Sequence, residues 1–441
     1  MQNNQQLHFI LAMLLFAFAS PIAHPDASAE QPNVVFILSD DQSWMDFGFM
    51  DHPHIRTPNI DQLARAGTLY ERGYVTAPLC RPSLASLVTG MYPHQTGIRG
   101  NDPLLPKGMH YRDKGAQQVS QKMRAKMTAP MAEHPSFVKQ LKTAGYATLE
   151  TGKWWEGNPL DHGFTDAMTH GDTRRGGRHG DQGLKIGRTT MQPIYDFVDK
   201  AKTNKQPFFI WYGVFLPHSP HNAPDRLFNK YKDIAPNEST ARYWANVEWL
   251  DEGCGQIVDH LKKEGLYENT VFVFTTDNGW VPDPKKVGRY VRSKREPVEA
   301  GIRTPIFVTH EGTVKPLRDA ETLASNIDIA PTILKICGVE PSAQMKGLDL
   351  RKPEKLKERN RIFVDVYEHD SDLDQLDDLE SGLKSRVVID GWDKLIANKD
   401  AANQLYDLKK DDDDRNDLSS ANQDKASALA NIIDAWVTNK D

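Results

Sequence analysis

Asn33-Val34-Val35-Phe36-Ile37-Leu38-Ser39-Asp40-Asp41-Gln42 is the stretch whose reading decides the fold. Six compact residues, rich in β-branched and aromatic side chains and without polar alternation, read as a strand buried on both faces, as in a parallel sheet. The run ends abruptly in Ser39, Asp40 and Asp41. Open α/β sheets bind ligands at the C-terminal ends of their strands. Asp is also common in turns and at helix N-caps. Two adjacent carboxylates repel each other, however, and a divalent cation is the usual remedy.

The same grammar recurs outward from there. Tyr146 to Glu150 reads as a strand emptying into Thr151-Gly152-Lys153-Trp154-Trp155-Glu156-Gly157. Pro207 to Phe215 empties into Leu216-Pro217-His218-Ser219-Pro220-His221, and Thr270 to Thr275 into Thr276-Asp277-Asn278-Gly279. Ile306 to Thr309 is a further strand. Amphipathic helices are expected over Pro58 to Ala66, Ser136 to Thr143, Trp244 to Gly265, and Ile327 to Cys337 with an interruption near Pro331. Alternating strands and helices through about residue 340 predict an α/β fold with a doubly wound, mostly parallel central sheet.

Beyond Arg361 the character changes. Short antiparallel strands are expected at Ile362 to Val364, Arg386 to Ile389 and Lys394 to Ile396, followed by a helix over Asn422 to Thr438. The reading therefore divides the chain into a catalytic domain over 30–355 and a smaller C-terminal subdomain over 356–441. Gly100 to Ala132 reads as a basic surface loop and Gly171 to Gly187 as a loop without an element. The acidic run Asp411 to Asp414 reads as a solvated turn without chemistry.

The chain has 441 residues, 39% hydrophobic and 26% charged, with a net charge of −6. That is ordinary globular composition and argues against nucleic acid as a partner. Residues 1–29 read as a signal peptide, with an apolar run from Phe9 to Ala19 and a small-x-small site at Ala27-Ser28-Ala29. No later segment is apolar for long enough to insert stably in a membrane. A secreted or periplasmic location follows. Three cysteines exclude a disulfide framework. Cys254 and Cys337 read as buried small hydrophobes, with a bridge between them left open, and Cys80 is the odd, reactive one.

Cys80 opens Cys80-Arg81-Pro82-Ser83-Leu84-Ala85-Ser86-Leu87-Val88-Thr89-Gly90. Pro in a first helical turn loses no hydrogen bond, and Leu84, Leu87 and Val88 repeat at helical spacing. The cysteine then lies at a helix N-terminus, where backbone N–H groups favour an anion. Ser83 is expected to cap that helix, and His162 to pack structurally.

In order and number these motifs resemble the sulfatase family of the alkaline-phosphatase-like superfamily, from about Asn33 to Leu418. The likeness rests on Asp40-Asp41, Cys-x-Pro-Ser followed by Thr89-Gly90, Thr-Gly-Lys153, Pro-His218-Ser-Pro and Thr-Asp277-Asn278-Gly. Lys294, Glu299-Ala-Gly-Ile-Arg-Thr-Pro, Asp328-Ile-Ala-Pro-Thr and Leu405-Tyr-Asp-Leu complete it. The resemblance implies a secreted sulfuric ester hydrolase whose Cys80 is oxidised by a maturation enzyme to formylglycine, the hydrated form of which is the nucleophile. It implies metal ligands at Asp40, Asp41, Cys80, Asp277 and Asn278, and an oxygen-rich set suits Ca²⁺, with Mg²⁺ second. It gives Lys153 and Lys294 the role of sulfate-binding cations. His218 becomes the leaving-group acid, with His221 as the competing imidazole. The substrate implied is a sulfated small molecule or carbohydrate.

This chain departs from the family pattern twice, with Leu84 where the family has Arg and Trp155 where it has His. The competing readings are a phosphodiester or phosphonate monoester hydrolase, which the same metal and nucleophile would serve, and a catalytically silent binder of sulfated glycans with Trp155 available for sugar stacking.

Overall fold

The computed structural model describes residues 31–110, 112–169 and 183–438. The expected signal peptide falls on residues 1–29, outside the described residues, as does most of the expected Gly171–Gly187 loop. Of that loop the described part includes a single 3₁₀ turn, Gly183–Lys185.

Twelve strands carry the architecture: β1 (Asn33–Ser39), β2 (Thr68–Tyr70), β3 (Ala147–Gly152), β4 (Asp166–Ala167), β5 (Phe208–Gly213), β6 (Thr270–Thr276), β7 (Ile306–Thr309), β8 (Leu317–Asp319), β9 (Arg361–Tyr367), β10 (Leu383–Asp390), β11 (Asp393–Asn398) and β12 (Gln404–Asp407). The first eight form one sheet in the order β8-β2-β7-β6-β1-β5-β3-β4. β1 sits in the middle, parallel to β5 on one side and β6 on the other. Only β7 runs against its neighbours. The mostly parallel sheet expected from the sequence is therefore present. The last four strands form the separate antiparallel sheet β9-β10-β11-β12.

Why β1 is apolar without alternation is visible in what covers it. Successive side chains point to opposite faces of a strand, and both faces are roofed by helices. Val34, Phe36 and Leu38 pack with residues of α2 (Cys80–Thr89), α4 (Phe137–Thr143) and α8 (Ile329–Ile336). Val35 and Ile37 pack on the other face with α1 (Pro58–Ala66), α5 (Gln192–Thr203) and α7 (Glu238–Lys263). The small sheet has two apolar faces of its own. One carries Val364, Val387 and Ile396 against Tyr74 and Ile302, and the other carries Val388 and Leu395 against α9 (Gln423–Thr438).

Several details differ from the sequence reading. The basic stretch 100–132 holds a helix, α3 (Ala116–Thr128), rather than a bare loop. α7 begins at Glu238, capped by Asn237, whose side chain accepts from the Thr240 N–H. Pro331 does not interrupt its helix: α8 starts at Ile329, so Pro331 lies in the first turn, where its missing N–H has no cost. Cys254 and Cys337 are free thiols in the core clusters on opposite faces of the sheet, which rules out a bridge between them. Among the described residues no helix is long and apolar enough to cross a membrane.

Candidate active site

Four polar strand ends meet at one point of the sheet edge. Asp40 continues β1, its N–H donating to the Leu216 carbonyl at 3.0 Å. Asp41 then takes a left-handed backbone (φ 60°), which turns its carboxylate back over the strand end, and its N–H donates to Asp277 Oδ1 at 3.0 Å. β3 ends in Gly152 at φ +88°, where a Cβ would stand 2.1 Å from the Gly213 carbonyl oxygen, so only glycine fits. That close approach lets the Lys153 N–H bond Gly213 and aims its side chain across the sheet. Lys153 Nζ reaches Asp40 Oδ1 at 2.5 Å and Asp277 Oδ2 at 2.6 Å.

Cys80 is the first residue of α2, delivered by the extended Leu79, and Asn101 Oδ1 accepts the Arg81 N–H of that first turn. Ser83 is not the cap. It lies inside the helix, its N–H bonds Leu79, and its hydroxyl accepts from Asn326 Nδ2. Lys294 arrives from the loop after β6, with Nζ 2.6 Å from Asp41 Oδ1 and 3.0 Å from Cys80 Sγ. Asp40, Asp41, Cys80 and Asp277 each offer a ligand atom within 4.8 Å of the others.

The electrostatics of this cluster fit a divalent cation. Three buried carboxylates face the buried Lys153 ammonium and the partly buried Lys294 ammonium, which leaves the cluster one negative charge in excess. Asn278 Nδ2 donates to Asp41 Oδ1 and Gly279 O, which orients the amide and leaves Asn278 Oδ1 buried without a donor among the described residues. Asp40 Oδ2 is in the same state. Buried acceptors left without partners are costly, and a cation removes that cost. The set is all-oxygen apart from Cys80, which suits Ca²⁺ or Mg²⁺. Burial pushes the Asp40 carboxyl up against the pull of Lys153. At Asp41 burial acts the same way, yet Lys294, His218 and Lys153 outweigh it and hold the carboxyl well below the usual range. Burial pushes the Cys80 thiol up to about 11, with both lysines opposing.

The structure separates the two histidines. His218 Nε2 lies 3.6 Å from Asp41 Oδ2, while its Nδ1 is held by the Ser219 carbonyl at 2.7 Å. His221 turns away, packed edge-on against Tyr243 and Trp280, and burial followed by the charge of His218 lowers it to about 4. His162 packs against Trp154, as expected.

Two residues that sequence reasoning passed over hold the His218 loop. Arg188 donates to the carbonyls of Phe215 and His218 from Nη2, and to Pro220 O and Asn222 Oδ1 from Nη1. Asn246 of α7 donates to Pro217 O and Pro220 O and accepts the Ala223 N–H. Asn246 stands among the apolar residues Trp244, Ala245 and Val247, which was a readable signal; Arg188, in a glycine-rich stretch, had none.

The two residues expected from the resemblance to depart from its pattern both lie in the core. Leu84 is 3% exposed and Trp155 4%, in the same apolar cluster as β1 and Cys80. Trp155 is too buried for a sugar to stack on it, which corrects that expectation. Arg81 does not stand in for an Arg at position 84. Its guanidinium is bound bidentately to Glu156 at 2.6 and 2.9 Å and to the carbonyls of Gly100 and Met127.

The family described as Sulfatase matches residues 32–339, and one described as N-sulphoglucosamine sulphohydrolase, C-terminal matches residues 290–435. The chain is 28% identical to the N-acetylgalactosamine-6-sulfatase of Sus scrofa over 73% of its own length, and it spans 65% of that relative. It is 25% identical to the endo-4-O-sulfatase of Bacteroides thetaiotaomicron, covering 93% of this chain and 94% of that protein. The crystal structure of Ps i-CgsB in complex with k-i-k-neocarrahexaose superposes with a TM-score of 0.71 at 23% identity, over 92% of this chain and 93% of that one. That likeness agrees with the mostly parallel sheet and its separate antiparallel sheet.

Proposed function

The chain belongs to the sulfatase family, and on that premise we propose that it is an exported sulfuric ester hydrolase that removes sulfate from a sulfated carbohydrate. In this reading Cys80 is converted to formylglycine by a maturation enzyme, and Ca²⁺ is held by Asp40, Asp41, the residue at position 80, Asp277 and Asn278. The observation that carries it is the convergence of three carboxylates, two lysines and Cys80 at the ends of β1, β3 and β6, with two acceptor oxygens left over.

Asp40, Asp41, Asp277 and Asn278 would hold the cation, which would supply Lewis-acid polarisation and bring the charge of the cluster to suit a sulfate ester monoanion. Formylglycine at position 80 would supply a hydrated aldehyde as the nucleophile. The chain's own residues do the rest. The ammonium groups of Lys153 and Lys294 bind the non-bridging sulfate oxygens and balance the charge that develops on them. His218, with Nδ1 tied to Ser219, presents Nε2 to protonate the leaving alcohol oxygen. Arg188 and Asn246 fix the loop that carries it.

A carbohydrate substrate is favoured by the named activities of the Sus scrofa and Bacteroides thetaiotaomicron relatives. The deciding experiment is expression with a formylglycine-generating enzyme, mass spectrometry of the peptide containing Cys80, and turnover on sulfated saccharides. A persistent unmodified thiol in an active preparation would sink the formylglycine assignment. Higher kcat/KM on aryl phosphodiesters than on the matched aryl sulfate would move the chain to the competing hydrolase reading.

A further inference from the structure

Lys294 must reach both Asp41 and Cys80, yet it stands in an irregular segment between β6 and β7. Something must hold that segment. Arg289 Nη1 donates to the Lys294 carbonyl at 2.5 Å, and the Arg295 N–H donates to Pro78 O at 2.8 Å. The charged anchor comes from much further along the chain. Asp414 is 1% exposed, at a left-handed φ of 45°. Its carbonyl and its Oδ1 both accept from Arg292 Nη2, at 2.9 and 3.1 Å. Its Oδ2 accepts the Glu299 N–H at 2.9 Å and Lys394 Nζ at 2.7 Å. Lys394, wholly buried on β11, also bonds Glu299 Oε1 at 3.0 Å, and Tyr74 OH bonds Glu299 Oε2 at 2.9 Å.

Asp414 was expected to be part of a solvated acidic turn. It is instead the buried centre of a network that clasps the residue two before Lys294 and the residue five after it. One carboxylate receiving three charge-assisted or backbone donors in a low-dielectric setting is a strong, directional anchor. We propose that Asp414 is a positioning residue for Lys294, through which the small antiparallel sheet fixes the geometry of the charge cluster. The inference rests on the reading of Lys294 as a sulfate-binding cation.

The test uses the full, matured chain on an aryl sulfate, with thermal unfolding recorded alongside. Asp414→Asn suits the purpose because Asn tolerates a left-handed backbone, while its amide sets a donor against donors. A misplacement of about 1 Å costs as much as 10²-fold. Asp414→Asn should therefore lower kcat about tenfold or more with a smaller change in KM. Arg292→Ala, at a half-exposed partner, should lower kcat in the same direction with little loss of thermal stability, and it stands in if the Asp414 variant does not fold. Asp413→Ala, in the same acidic run but exposed, should leave kcat unchanged. Because Asp414 acts through Lys294, adding Asp414→Asn to Lys294→Ala should cost nothing further. The inference is overturned if Asp414→Asn and Arg292→Ala keep full kcat while Lys294→Ala loses it, or if the Asp414 effect persists in full on the Lys294→Ala background. Full turnover in Lys294→Ala would remove the reading of Lys294 itself, and this inference with it.

Discussion

Removing one carboxylate from the charge cluster separates its role as a cation cradle from any role in folding. Asp40 is wholly buried, with Oδ1 on Lys153 and Oδ2 without a donor among the described residues. In Asp40→Asn without metal, the attraction to Lys153 is lost, about 4 kcal/mol at an effective dielectric of 20 over 4 Å. Repulsion from Asp41 and Asp277 is relieved by a comparable amount, and Lys153 keeps Asp277. The two effects nearly cancel, so in EDTA the variant should melt close to the parent. The response to Ca²⁺ should differ sharply. A ligand at 100 times its Kd stabilises the folded state by about 2.7 kcal/mol. A folded unit of roughly 400 residues has an unfolding entropy near 0.85 kcal/mol/K, so the parent should gain about 3 °C in Tm. Asp40→Asn should gain less than 1 °C at the same concentration. Differential scanning fluorimetry across a Ca²⁺ titration, with Mg²⁺ in parallel, reads both numbers without any assay of turnover. A parent that ignores both ions, or a variant that responds as fully as the parent, refutes the cation cradle.

Three further outcomes follow from the same geometry. His218→Ala should lower kcat/KM about 10²-fold or more on alkyl sulfates, whose leaving groups need a proton, and much less on nitrophenyl sulfate. His221→Ala should chiefly lower Tm, and equal kinetic losses for the two would remove the distinction between them. Arg188→Ala strips donors from the His218 and Phe215 carbonyls and should lower kcat about tenfold, with partial rescue by added guanidinium; an unchanged kcat means the loop holds without it. Asp251 of α7 accepts the Ile60 and Asn59 N–H groups at the start of α1, and burial raises its carboxyl to about 7. Its folded pKa lies above the unfolded value of about 3.9, so the folded state binds the extra proton. The stability it contributes is full below about pH 4 and is lost as pH rises through about 7. The unfolding free energy from urea titrations should fall by about 2–4 kcal/mol more between pH 4 and 8 in the parent than in Asp251→Asn. Parallel curves would show that Asp251 titrates normally.

What could be read from the sequence, and what could not, divides along physical lines. β1, β5 and β6 announced themselves because a strand buried on both faces must be continuously apolar and must turn polar where it meets solvent or ligand. Asp40, His218 and Asp277 were legible as strand ends for that reason; β3, with Thr148, Glu150 and Thr151 in its six residues, gave a weaker signal for Lys153. α3 was missed because its inward stripe is Ala116, Ser120, Arg124 and Met127, helical in spacing but half polar. Arg124 is buried there against Asp102, so hydrophobic periodicity had little to detect. Asp414 was missed because nothing distinguishes it from Asp411, Asp412 and Asp413 until Arg292, Glu299 and Lys394 are brought to it. Arg188 is the same kind of omission: its role lies in the carbonyls it finds, and those have no identity in a sequence.

The two departures gain a consistent meaning from where they sit. Leu84 and Trp155 belong to the apolar cluster that also contains Cys80, Val34, Phe36 and Leu38. Cys80 thus stands on a boundary, with the charged cluster on one side and the hydrophobic core on the other. An Arg at 84 would have added donors on the core side; here Leu84 offers none, Trp155 offers only its indole N–H, and Arg81 is committed to Glu156. Lys294 is the donor placed on the Cys80 sulfur, while Lys153 and His218 meet the carboxylates of the cluster beside it. A wall with few competing dipoles lowers the local dielectric, and the lysine contacts grow stronger as it falls. The same wall leaves fewer groups to correct a lysine that is misplaced. Activity in this chain should therefore depend more steeply on the position of Lys294 than in a site with a full ring of donors, which is the property the buried Asp414 network is built to protect.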